Sequence, residues 1–199
     1  MGLTKSEVML KRAFDVVFSG IGLILSSPLI VLGYIFASLS TKSCGFFLQE
    51  RVGKDCKLFK VIKLKTMKPM SGVITTVTTS EDPRITKVGM FLRKYKIDEL
   101  PQLINVFIGQ MSFVGPRPDV KEFADMMLEH EKIIFTIKPG ITGPATIKYR
   151  NEEKLLSTQV DPERYNKEII FPDKIKINME YVRNWSLYKD IMYIVRTIL

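Results

Sequence analysis

Val16-Val17-Phe18-Ser19-Gly20-Ile21-Gly22-Leu23-Ile24-Leu25-Ser26-Ser27-Pro28-Leu29-Ile30-Val31-Leu32-Gly33-Tyr34-Ile35-Phe36-Ala37-Ser38-Leu39 contains no charged residue. At about 1.5 Å per residue, such a helix is long enough to cross a hydrocarbon core of about 30 Å. Two features argue against a plain crossing. Pro28 removes a helical hydrogen bond near the middle of the run, and the Ser26 and Ser27 hydroxyls are placed to take freed carbonyls. The flanks are basic on both sides: Lys5, Lys11 and Arg12 before, Lys42, Arg51, Lys54, Lys57 and Lys60 after. Basic flanks belong on the cytoplasmic side. A helix–break–helix hairpin that turns at Ser27-Pro28 and leaves by the face it entered satisfies both, with Lys11 and Arg12 at the membrane interface. A straight span and a cleaved signal peptide are the alternatives; the run is long for the latter.

The rest of the chain fits one domain. The 199 residues carry a formal net charge of +9, which points to an anionic partner. Membrane attachment disfavours nucleic acid as that partner. Cys44 and Cys56 stand in no metal-binding spacing, and reduced thiols are expected. The single histidine, His130, lies in a charged segment and reads as solvated. One histidine and two cysteines exclude most zinc sites and most Ser–His or Cys–His nucleophiles. Beyond the apolar run the pattern predicts an α+β, mostly helical domain, with boundaries at 1–40 and 41–199. Residues 46–51 and 58–65 alternate as two strands around a Gly53-Lys54-Asp55 turn. Gly72–Ser80 reads as a loop. Helices are expected from Asp82 or Arg84 to Tyr95, from Asp98 to Gly109, over 119–135 and over 177–199. Turn-rich loops fall at 114–118 and 138–144. On the last helix Ile191, Ile194, Val195 and Ile198 share a face suited to a core or to a membrane interface.

Chemistry concentrates at Asp98-Glu99-Leu100-Pro101-Gln102-Leu103-Ile104-Asn105. Asp98 is a good helix cap, Glu99 falls in the first turn, and Pro101 is tolerated there. On this stretch alone, a cap and a dipole partner are the simpler reading; a nucleophile or cation ligand is the sharper one. Phosphate-cradle and zinc-protease motifs are missing. Basic candidates for phosphate contact are Lys63 and Lys65, alternating on one strand face, Arg93 just before the acidic pair, and Arg117 held between two prolines.

Taken in order, Lys11-Arg12-Ala13-Phe14-Asp15, Ser27-Pro28, Gln49-Glu50-Arg51-Val52-Gly53, Lys63-Leu64-Lys65-Thr66-Met67, Asp82-Pro83-Arg84-Ile85-Thr86, Asp98 to Val106, Met111 to Pro118, and Lys138-Pro139-Gly140-Ile141-Thr142-Gly143 resemble the bacterial sugar transferases. These are monotopic phosphoglycosyl transferases that begin lipid-linked glycan assembly, and the likeness covers nearly the whole chain. It implies transfer of a sugar-1-phosphate from a UDP-sugar to undecaprenyl phosphate, with release of UMP. It also implies Asp98 as nucleophile forming a phosphosugar–aspartyl intermediate, and Glu99 as a ligand of Mg²⁺. Lys63, Lys65, Arg93, Arg117 and Arg150 are implied as phosphate contacts. The implied setting is a re-entrant helix in the bacterial inner membrane. A small catalytic domain would sit on the cytoplasmic face with amphipathic interfacial helices, and downstream glycosyltransferases would be further partners. The resemblance fits the minimal form, without extra N-terminal membrane helices. Lys65, Gln110 and the segment Pro144–Arg150 depart from the family pattern. A non-catalytic membrane-anchored module binding anionic lipid or a protein is the competing function, separable by Asp98→Asn.

Overall fold

The computed structural model describes residues 2–68 and 82–199, so the loop expected at Gly72–Ser80 lies outside the described residues. Helix α1 runs from Lys5 to Thr41. Thr4 and Glu7 start it with a reciprocal capping box, and Lys42 in the left-handed region ends it. The expected break at Ser27-Pro28 is not a break in helical structure: Pro28 lies inside α1. Pro28 has no N–H to give the Ile24 carbonyl four residues back. The Ser27 hydroxyl donates to that carbonyl instead, at 2.9 Å, and Ser26 donates to the Gly22 carbonyl at 2.6 Å. The serines thus let the helix continue through the proline.

The burial of α1 is inverted relative to a helix of a water-soluble domain. Ile24 and Leu25 are each 75% exposed, and Val17, Phe18, Leu29, Val31, Phe36 and Leu39 are also exposed, whereas Lys11, Asp15 and Ser19 are buried. The buried polar groups face the rest of the protein. Lys11 Nζ pairs with Asp190 at 2.5 Å, and Asp190 also accepts from the Tyr181 hydroxyl and the Trp185 indole. Asp15 accepts from the Ser112 hydroxyl and the Phe113 amide. Arg12 donates to the carbonyls of Val106 and Phe107, both at 2.7 Å. Lys11 and Arg12 therefore do not reach out to a headgroup layer. Burial is tolerable for Lys11 because it meets the buried Asp190, while the half-buried Arg12 places its guanidinium on the end of the helix beside it. Further along, Gly33 lies so near Leu64 that an added Cβ would stand 2.5 Å from its Cδ1. Ala37, Leu64 and Leu92 form an apolar cluster there.

Among the described residues the domain holds two small sheets. Strands β1 (Phe46–Val52) and β2 (Leu58–Leu64) pair antiparallel around the expected turn. Helix α2 spans Lys87–Lys94. It is shorter than expected because Asp82 folds back onto the amide and guanidinium of Arg84, and Thr86 is the cap, accepting from the Gly89 amide. Helix α3 covers Gln102–Ile108 and ends at Gly109, whose φ of 90° suits glycine. Arg12 takes the carbonyls of its last turn. Asn105, fully buried, bonds β2 through the Ile62 amide and Lys60 carbonyl and also reaches Gln110 Oε1. The departure at Gln110 thus has a structural use: it accepts from the residue that pins α3 to β2.

Strand β3 (Ser112–Val114) pairs parallel with β4 (Gly140–Thr142), so part of the second expected loop is strand. The long helix expected over 119–135 is instead α4 (Lys121–Asp125) and a 3₁₀ stretch at Glu131–Thr136. Glu131 accepts from the Leu128 amide and restarts the chain between them. Helices α5 (Pro144–Lys148), α6 (Glu152–Ser157) and α7 (Pro162–Tyr165) lead through a π-helical stretch into α8 (Phe171–Arg183). Helix α9 (Leu187–Ile198) begins after a break that Ser186 caps, so the C-terminal segment is two helices rather than one. On α9, Ile194 packs inward beside Val182, while Tyr188, Ile191, Val195 and Ile198 stay exposed. Helix α2 likewise exposes Met90 and Phe91, and α3 exposes Phe107 and Ile108.

Candidate active site

Asp98 and Glu99 sit on a 3₁₀ turn, Ile97–Glu99, between α2 and α3. The turn is entered through Lys96 in the left-handed region and leaves through Leu100 and Pro101. Asp98 is not the cap of α3: Pro101 occupies that position and no side chain caps it. A proline there removes one amide that a cap would serve. That frees the Asp98 carboxylate from a structural task.

The two acids have opposite surroundings. Glu99 Oε1 accepts from Lys63 Nζ at 2.9 Å and from Arg117 Nη2 at 2.7 Å. Burial works against the Glu99 charge, but Arg117 and Lys63 together outweigh it and hold the carboxyl well below the usual range. Asp98 Oδ1 is buried with no hydrogen-bond partner among the described residues. Burial first, and the Glu99 charge second, push the Asp98 carboxyl up to about 6. Lys63, Lys96 and Arg93 pull the other way from a distance. A buried polar atom without a partner costs about 1–3 kcal/mol. It persists at sites that meet a ligand or do chemistry.

The basic candidates separate. Lys63, on β2, and Arg117, on the Pro116–Pro118 loop, both touch Glu99. Arg93 lies within electrostatic reach of Asp98. Lys65 does not join them. Strand β2 ends at Leu64, and Lys65 Nζ bonds the Ser43 hydroxyl at 3.0 Å. Arg150 is also elsewhere, donating to the Arg196 and Thr197 carbonyls at the end of α9.

Sequence reading missed the supports of the arginine loop. Arg51 donates to the Pro118 carbonyl, and the Asp119 carbonyl accepts from the Val52 amide. Burial pushes the Asp119 carboxyl up against the pull of Lys174, Arg51 and Arg117. Gly115 is pressed against β4: an added Cβ would lie 2.5 Å from the Lys138 carbonyl. Arg51 stood in a quoted motif, but nothing in one sequence shows that β1 runs beside residue 118.

Among the described residues no three His, Cys, Asp or Glu side chains gather as a metal cage. A divalent cation held by one or two carboxylates and by substrate phosphates does not require one. The unpartnered Asp98 Oδ1 beside Glu99 is an oxygen set of that hard, anionic kind.

Comparison with known proteins bears on the family. The family model for bacterial sugar transferases matches residues 6–199. A UDP-glucose:undecaprenyl-phosphate glucose-1-phosphate transferase of Escherichia coli K12 is 39% identical over 195 residues, covering 96% of this chain and 39% of the relative. An undecaprenyl-phosphate galactose phosphotransferase of Salmonella typhimurium is 32% identical, covering 97% of this chain and 40% of the relative. The exopolysaccharide production protein ExoY of Rhizobium meliloti is 31% identical, covering 96% and 84%. The chain therefore spans about two fifths of the first two relatives and most of the third. With the match running from residue 6 to residue 199, the chain belongs to the bacterial sugar transferase family.

Proposed function

We propose that this chain transfers a sugar-1-phosphate from a UDP-sugar to a polyprenol phosphate, opening the synthesis of a lipid-linked glycan. The observation that carries this reading is the orphaned, buried Asp98 Oδ1 beside a Glu99 whose charge is already balanced. An Asp98 oxygen attacks the sugar-proximal phosphorus. The phosphorus–oxygen bond to UMP breaks, and UMP leaves with the bonding pair. An oxygen of the polyprenol phosphate then attacks the phosphosugar–aspartyl group and returns Asp98 as carboxylate. Arg117 and Lys63 face the negative charge that spreads over the transferring phosphoryl oxygens. Mg²⁺, held by Asp98 and Glu99 with the diphosphate, would neutralise charge on those oxygens.

The membrane setting is part of the proposal. Gly22 packs on Leu103 and Gly33 on Leu64, so both halves of α1 lie against one small domain. Fewer residues separate these two contacts than the roughly 20 that a crossing needs. A helix held by one domain along its length stays on one side of a bilayer with that domain, in a shallow or re-entrant placement. The basic flanks make that side the cytoplasmic face of the bacterial inner membrane. The exposed apolar residues of α2, α3 and α9 supply further interfacial surface.

Purified protein incubated with UDP-sugars, undecaprenyl phosphate and Mg²⁺ is expected to release UMP with one or a few sugars, and none with Asp98→Asn. Release of UDP, or UMP release that survives Asp98→Asn, would overturn the reading.

A further inference from the structure

A cavity of about 440 Å³ lies away from the dyad, where the end of α5, the start of α6 and the last turn of α9 meet. Lys148, Tyr149, Arg150, Asn151, Glu152 and Arg196 supply its polar lining, and Ile147 and Leu155 its apolar part. Lys148 is paired with Asp173 at 2.7 Å, and Arg150 and Arg196 against Glu152 leave the lining net positive, a place for an anion. It also holds a flat aromatic ring and an exposed amide. The Tyr149 hydroxyl is tied to Asp173 at 2.6 Å, and the ammonium groups of Lys148 and Lys174 stand 5.6 Å from the ring centroid. Asn151 opens α6 without capping it, so its amide keeps both a donor and an acceptor. Glu152 joins the cavity to the dyad. It pairs with Lys174 through both oxygens and lies within electrostatic reach of Arg117, which holds Glu99.

An aromatic face, a two-way amide, a carboxylate and flanking cations are the groups that recognise a nucleoside carrying phosphate. A nucleoside diphosphate sugar is elongated, with its base at one end and its sugar at the other, the reacting phosphorus next to the sugar. Binding energy at the remote end holds the reacting end in position. We propose that this cavity takes the nucleoside end of the donor, with Tyr149 as its stacking face and Arg196 as a phosphate-facing charge. This rests on the sugar-phosphate transfer reading. The lining residues Ile147–Arg150 belong to the segment that departs from the family pattern, so this chain's choice of donor is set partly here.

The test uses the full chain in detergent and two measurements: equilibrium binding of UMP, which needs no turnover, and the KM values of donor and acceptor. Tyr149→Ala is expected to weaken UMP binding and raise the donor KM by about fivefold or more, the least that a lost base–aromatic stack gives. Tyr149→Phe keeps the ring and is expected to recover most of that loss. Arg196→Glu, at an exposed position, is expected to weaken UMP binding in the same direction without disturbing a buried group. The KM for undecaprenyl phosphate is expected to stay put in all three. UMP binding and donor KM that ignore Tyr149→Ala and Arg196→Glu would overturn the proposal. So would a rise in the acceptor KM alone, which would give the cavity to the lipid phosphate. A wild-type chain that binds UMP through Tyr149 but releases none from any donor would sink the transfer reading and leave the cavity assignment standing.

Discussion

Two of the clusters in which the described residues withdraw charge from water treat it differently. Where α1 meets α8 and α9, Lys11, Asp190, Tyr181 and Trp185 satisfy one another, and Asp15 beside them is satisfied by β3. At the turn before α3, Glu99 is satisfied by Lys63 and Arg117, but its neighbour Asp98 keeps an oxygen with no partner. Both clusters tie distant parts of the chain together. Only the second leaves something over. A saturated buried network is what specifies one packing, whereas an orphaned buried oxygen is a standing cost that folding alone does not explain.

The comparison can be broken at either cluster. The largest effect is expected from Asp98→Asn, which should lower UMP release by at least about a thousandfold, since it removes the nucleophile. The same variant should gain stability. The folded Asp98 value, about 6, lies above its ordinary 3.8, so folding opposes ionisation. That penalty is full above about pH 6 and vanishes as pH falls below about 4. At pH 8 without metal, Asp98→Asn should therefore be more stable by up to about 3 kcal/mol in denaturant titration. A destabilised variant would mean that Asp98 has a structural partner. Lys11→Met, by contrast, should destabilise by about 3 kcal/mol, because Asp190 stays buried without its cation. Loss of activity without loss of stability there would move the saturated cluster into the catalytic machinery.

Smaller effects sharpen the contrast. Glu99→Gln strips Lys63 and the half-exposed Arg117 of their counter-charge and should cost about 2 kcal/mol, discounted for that exposure, besides lowering turnover. In the metal-free wild type, the Asp98 carboxyl should titrate near pH 6 rather than near its ordinary 3.8, and added Mg²⁺ should lower that midpoint; a midpoint near 4 without metal would mean that the carboxylate is solvated or partnered. Lys65→Ala should change turnover less than about twofold, since Lys65 bonds Ser43 at the surface.

Much of this was legible beforehand, and unevenly. Period-two alternation placed β1 and β2 because each strand states its own pattern locally. The family resemblance points to Asp98, Glu99, Lys63 and Arg117, and the fold brings these four to one turn. The continuity of α1 was not legible: a proline reads as a stop, and the repair of the Ile24 carbonyl depends on how the Ser27 rotamer falls. Lys65 was drawn to the site by alternation that continues one residue past the end of its strand. Lys11 and Arg12 read as headgroup residues because one sequence does not reveal their distant partners, Asp190 for Lys11 and the carbonyls of Val106 and Phe107 for Arg12.

Helix α1 is stitched to the domain by charge near one end and by close packing near the other. There is no stalk. Whatever depth and tilt α1 adopts in a bilayer, Asp98 adopts the same, as the needle of a float gauge follows its float. On the proposed placement, bilayer thickness and headgroup composition act on the site: a lipid mixture that lifts or tips α1 shifts the height of the dyad with it.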